Sequence, residues 1–96
     1  MNYSLENENL VIFLEGELNS YNSEEVEKEI DSIIKKNKYK AIVLDLEKLN
    51  YISSAGLRII VRLRQQCSEI SVRKPTKSVS DIFKMVGFEN LIKIEK

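Results

Sequence analysis

The chain contains no histidine. That absence excludes Ser-His-Asp triads, Cys-His pairs and histidine-ligated zinc sites. There is one cysteine, Cys67, which admits neither an internal disulfide nor a CxxC site and agrees with a reducing cytosol. Neither sign of charge dominates, because 15 lysines and arginines face 15 aspartates and glutamates. A nucleic-acid-binding domain usually shows a basic excess, so direct contact with nucleic acid is not expected. Long apolar runs are missing as well. No segment approaches the ~20 residues a membrane helix needs, and the opening MNYSLENENL lacks the basic and apolar regions of a secretory signal. Neither GxxxxGK[ST] nor GxGxxG occurs. These absences lead to the expectation of a cytoplasmic protein with no membrane contact, no cofactor and no metal.

What is present is ordinary globular composition, with 43% apolar and 31% charged residues in a chain of 96. That length makes one domain, residues 1–96, with a modest but real core. YSLENENLVIFLEG predicts two strands around a turn at Asn7, Glu8 and Asn9. The apolar run Leu10 to Leu14 suits a strand buried on both faces and ending at Gly16. In SYNSEEVEKEIDSIIKKN, Asn22 and Glu25 have capping-box spacing, and Val26, Ile30, Ile33 and Ile34 share one helical face.

AIVLDL, residues 41–46, predicts a central strand. SAGLRIIVRLRQQC predicts a helix with Ala55, Leu57, Ile60, Leu63 and Cys67 inward and Arg58, Arg62 and Gln65 outward. EISVR predicts a short strand that Pro75 stops. KSVSDIFKMVGF predicts a third helix capped by Ser78 and Asp81, burying Val79, Ile82, Phe83 and Val86. Gly87 serves as its C′ residue, and Phe88 folds back on it. LIKIEK predicts a last strand. The order β-β-α-β-α-β-α-β implies an α/β domain with a mixed, mostly parallel sheet, an N-terminal antiparallel hairpin and about three packed helices. Functional groups on such sheets gather beyond the C-terminal strand ends, where GELNSYN and EKLNYISSAG both arrive.

The junction Ser53-Ser54-Ala55-Gly56 invites two explanations. One is structural: a serine caps the helix, and small residues let it pack closely on the sheet. The other uses the same geometry. A helix start offers unpaired amides and partial positive charge, so a phosphate on a serine there is locally tolerated.

The strand ending in Asp45-Leu46 followed by YISSAGLRIIV resembles the signature of STAS domains, specifically of bacterial anti-sigma-factor antagonists. EGELNSYNSEEVEKEI resembles that family's second motif, a Gly-Glu-Leu-Asp turn before the first helix. The resemblance spans essentially the whole chain. It implies a STAS-type fold and a partner-switching regulator that is not an enzyme. In its unphosphorylated form such a regulator captures an anti-sigma factor, an ATP-using serine kinase, and frees a sigma factor. A serine phosphatase reverses the modification. Laid on this sequence, the acceptor is Ser54, with Ser53 as the second choice. Ser53 stands where the family often has Asp, and so does Asn19. The docking surface implied is Asn19, Ser20, Tyr21, Asn22, Ser53, Ser54, Gly56, Arg58 and Arg62.

Other readings compete. One is a STAS module that is never phosphorylated, working inside a larger lipid-transport or stress-signalling complex. Another makes Ser54 a nucleophile activated by Lys48, but no second base or oxyanion motif accompanies them. Asp45 reads as a loop-bonding carboxylate, since no acidic pair precedes it. Arg62 and Arg64 read chiefly as solvent residues, and Cys67 as a small core residue.

Overall fold

The computed structural model describes residues 1–95, so the last residue of the predicted final strand lies outside the described residues. The elements are β1 (Asn2–Glu6), β2 (Asn9–Leu18), α1 (Ser23–Lys36), β3 (Ala41–Ile52), α2 (Ser54–Gln66), β4 (Ile70–Arg73), α3 (Lys77–Val86), a 3-10 turn (Phe88–Asn90) and β5 (Lys93–Glu95). The five strands lie in chain order, β1-β2-β3-β4-β5, with β1 antiparallel to β2 and every later pair parallel. Each parallel pair is joined through one helix. Right-handed crossovers laid down in a single direction put all three helices on the same face. Leu10, Ile12 and Leu14 of β2, Ile42, Leu44 and Leu46 of β3, and Ile70 and Val72 of β4 belong to the core on that side. On the other face Val11 and Val43 are buried and Phe13 is half-buried, with the Arg73 guanidinium 5.9 Å from its ring centre.

Two strands run further than predicted. β2 passes Gly16 to Leu18, and β3 passes Leu46 to Ile52. The reason is a pair of irregularities in the β2–β3 ladder. Phe13 pairs with Asp45 but Glu15 with Lys48, and Gly16 pairs with Leu49 but Glu17 with Tyr51. Each adds a residue to β3. The core positions Leu44, Leu46, Leu49 and Ile52 are therefore spaced by two, three and three residues, which hides the strand from a period-two reading. Asp45 sits beside the first bulge. It is buried, at 5% exposure, and its carboxylate accepts from the Glu47 amide (3.0 Å) and from Arg73 Nε (2.8 Å). The expected bond to a loop is thus a bond within β3, joined by an ion pair to β4 that the sequence did not announce. Arg73 also donates to Glu6 (3.2 Å), and that bond, followed by one from Ser4, holds the Glu6 carboxyl below the usual carboxylate range.

Capping differs from expectation at two helices. Asn22 occupies the N-cap of α1, but its side chain does not cap the helix. It is committed to the preceding loop, as described below. Helix α3 is capped by Thr76, whose hydroxyl accepts from the Val79 amide (3.3 Å) and donates to the Leu49 carbonyl (2.8 Å). Asp81 instead pairs with Lys77 (3.0 Å). Val86 is 54% exposed, not buried, because Gly87 turns the chain at φ 69°. Phe88 then takes the inner place and stacks on Phe83 at 4.9 Å. Leu91 lies outside and Ile92 is buried.

Candidate functional site

The last pair of the β2–β3 ladder is Leu18 with Ile52, and beyond it the Ser53 amide donates to the Leu18 carbonyl at 2.8 Å. The loop after β2 and the start of α2 are thereby tied together at one end of the sheet, forming a ledge. The sequence placed both segments there, and the fold brings them together.

Ser53 and Ser54 have different situations on this ledge. Ser53 is the N-cap, with extended backbone, and its Oγ accepts from the Gly56 amide at 3.3 Å. Its carbonyl accepts the Leu57 amide at 2.9 Å, closing the first turn. Ser54 is the first helical residue and is exposed, and its hydroxyl makes no hydrogen bond among the described residues. Gly56 is buried under the helix. A Cβ there would lie 2.7 Å from Ile52 Cγ1 and 2.8 Å from Leu18 Cγ, so the small side chain is what lets α2 approach β2 and β3. This contact also sets the helix face. Gly56, Ile59, Ile60 and Leu63 are buried, while Ala55, Leu57 and Cys67 sit half-buried at its margins.

Residues 19–22 form a locked loop. Asn19 Oδ1 accepts from the amides of Tyr21 (2.9 Å) and Asn22 (3.1 Å). Asn22 returns the contact, its Oδ1 accepting the Asn19 amide (2.9 Å) and its Nδ2 donating to the Glu17 carbonyl (2.7 Å). Ser20 and Tyr21 are the exposed residues of the loop.

The two arginines predicted to share the outer face of α2 have separate roles. Arg58 is exposed and forms no ion pair among the described residues. Arg62 is not a solvent residue. It is partly buried, and it donates from Nε to Glu27 and from Nη2 to Asp31 (2.9 Å), joining α2 to α1. The signal in the sequence is the acidic pair Glu27 and Asp31, one turn apart on α1. A shallow groove runs between the helices, lined by Ser23, Glu27, Ala55, Arg58, Ile59 and Gln65 among others. Lys48 pairs loosely with Glu15 (3.8 Å). Arg64 is exposed, as expected. Among the described residues no cluster of acidic or sulfur side chains is suited to hold a metal, and no helix is long and apolar enough to cross a membrane.

With this geometry in hand, the comparison with known proteins is decisive for ancestry. The family model for the STAS domain matches residues 2–96. The chain belongs to the STAS family. A relative in Bordetella bronchiseptica, named for anti-sigma factor antagonism as BtrV, is 35% identical over 89 residues, covering 88% of this chain and 76% of its own. The fold agrees with a Thermotoga maritima structure described as an anti-sigma factor antagonist, at TM-score 0.87 and 21% identity, covering 99% of this STAS chain and 85% of the other. It also agrees with the anti-sigma factor antagonist SpoIIAA in its unphosphorylated form, at TM-score 0.73 and 20% identity, covering 99% and 89%. The mixed sheet, the antiparallel opening hairpin and the three helices are those of this family.

Proposed function

We propose that this STAS domain is a partner-switching anti-sigma-factor antagonist whose switch is the hydroxyl of Ser54. Unphosphorylated, it captures an anti-sigma factor of the ATP-using serine kinase type and frees a sigma factor. The kinase phosphorylates Ser54 and a serine phosphatase restores it. The observation that carries this reading is the contrast between the two serines. Ser53 Oγ is spent on the Gly56 amide, whereas Ser54 is exposed at the first position of α2. SpoIIAA, which shares the fold, has been solved in a phosphorylated form as well, at TM-score 0.64.

The physical chemistry is coherent. A phosphoserine carries about −1.5 to −2 charges at neutral pH. At a helix N-terminus that charge is locally favoured by roughly 0.3–1 kcal/mol. The domain keeps its fold, and the penalty falls on the complex, where a dianion must be desolvated against a surface fitted to a neutral hydroxyl. A hundredfold loss of affinity needs only about 2.7 kcal/mol. Ser53 and Asn19 stand where the family often has Asp, so the ledge of this chain is less acidic around the acceptor. Incubation with anti-sigma kinases of the same organism and ATP, followed by peptide mapping, tests the assignment. One phosphate on Ser54, absent from Ser54→Ala protein, is the expected result. Phosphate on Ser53, or labelling that persists in Ser54→Ala protein, refutes it.

A further inference from the structure

Tyr21 is 97% exposed, more than any other large apolar side chain among the described residues. A single exposed aromatic needs no explanation by itself. This one stands on a rigid stem. The reciprocal bonds of Asn19 and Asn22 hold the backbone on both sides of it, and only its amide takes part in them. The ring contributes nothing to the fold, and the backbone that presents it to water is held in place. Its stem begins at Leu18, whose carbonyl holds the amide of Ser53, next to Ser54. An exposed aromatic carried on a preorganised backbone is a usual form of interface anchor, since only two side-chain torsions remain to be ordered on binding.

Charge on the ledge is divided. Glu24 and Glu25, in the first turn of α1 just beyond Tyr21, are exposed and unpaired among the described residues, whereas Glu27 and Asp31 are engaged by Arg62. On α2 the exposed, unpaired Arg58 lies one turn after Ser54 and shares its helix face. We propose that Tyr21 is the anchor by which the domain holds its anti-sigma partner. The ring enters an apolar pocket on the partner, which sets basic groups against Glu24 and Glu25 and an acidic group against Arg58. The inference rests on the partner-switching reading and deepens it, because that acidic group is also what a phosphate on Ser54 would meet.

The test uses the full chain and the purified kinase that labels Ser54, loaded with a non-hydrolysable ATP analogue so that Ser54 stays unphosphorylated during the titration. Binding is measured by calorimetry for the unaltered chain, Tyr21→Ala, Tyr21→Phe and the double variant Glu24→Gln/Glu25→Gln. Circular dichroism should show Tyr21→Ala fully folded. Its affinity should fall about thirtyfold, the loss typical of an aromatic anchor. Tyr21→Phe should stay within about threefold of the unaltered chain, since the ring and not the hydroxyl fills an apolar pocket. The double variant should bind several-fold more weakly, and unchanged affinity would overturn the basic groups set against Glu24 and Glu25. Tyr21→Ala binding within about twofold of the unaltered chain would overturn the anchor while leaving the switch intact. Equal losses in Tyr21→Phe and Tyr21→Ala would overturn the apolar pocket. An unaltered chain that no kinase labels or binds would remove both the anchor and the switch.

Discussion

Replacing Gly56 by alanine should destabilise the domain, although alanine is the better helix former. In an exposed helix interior the exchange would gain about 0.5–1 kcal/mol. Here the new methyl would lie 2.7 Å from Ile52 Cγ1 and 2.8 Å and 3.0 Å from Leu18 Cγ and Cδ2. Ordinary carbon contacts are about 3.5–4.0 Å, so a displacement of roughly 0.5–1 Å is required. The atoms in the way are not loose ends, since Leu18 and Ile52 are 2% and 1% exposed. Overpacking of this kind costs typically 1–3 kcal/mol. Less the propensity gain, the net loss should be about 1–2 kcal/mol. For a domain of this size each kcal/mol lowers Tm by roughly 4–8 °C. Thermal and urea unfolding of Gly56→Ala protein measure the loss directly. The relief would tilt the start of α2 away from the sheet and carry Ser54 with it. Phosphorylation of Ser54 should therefore slow even where the variant is fully folded. A Gly56→Ala protein as stable as the unaltered chain, or more so, would refute the close-approach explanation for this glycine.

Four other outcomes are expected. Ser53→Ala removes the cap of α2 and should cost about 1 kcal/mol in chemical denaturation, while Ser53→Asp, which keeps a capping acceptor, should cost little. Arg62→Ala should lower stability by less than about 1 kcal/mol, an effect that shrinks with added salt because the Glu27 and Asp31 bonds are partly solvated. Arg58→Glu should leave stability nearly unchanged but weaken binding to the anti-sigma kinase by about 1 kcal/mol or more. Ser54→Asp should melt near the unaltered temperature and bind that kinase at least about tenfold more weakly, with a smaller loss than phosphorylated protein because it carries a single charge.

The legible parts of the sequence were those where one physical signal ruled. Alternating strands and helices gave the layer order, and Gly87 followed by Phe88 announced the end of α3. Ser53 and Ser54 marked the start of α2. Errors came where two local preferences competed. Bulges at β3 broke the alternation that defines a strand, so residues 47–52 read as a loop. Asn22 had capping-box spacing, but Asn19 was near enough to claim its side chain for the loop. Thr76, hidden behind Pro75, outcompeted Ser78 as a cap because it also reaches the Leu49 carbonyl. Arg62 looked solvated because its partners lie 31 and 35 residues away, a separation that spacing on one helix does not reveal. On the ledge, the convergence of the two loops was readable from topology. The division of labour between Ser53 and Ser54 required the hydroxyl geometry.

The strand order bears on how the domain is made. Because β1 to β5 lie side by side in the order of the chain, every strand completes its pairing with the one synthesised just before it. No strand must wait for a distant segment to be inserted between its neighbours, so the entropy of closing long loops stays low. The most extensive pairing, β2 with β3, is contained within residues 9–52. Each later helix and strand then docks on a finished edge. Growth by accretion of this kind confines each parallel pairing to a single crossover, 22 to 34 residues in span, and suits folding in step with translation. The ledge follows the same order: the Leu18 carbonyl is synthesised before the Ser53 amide that closes on it.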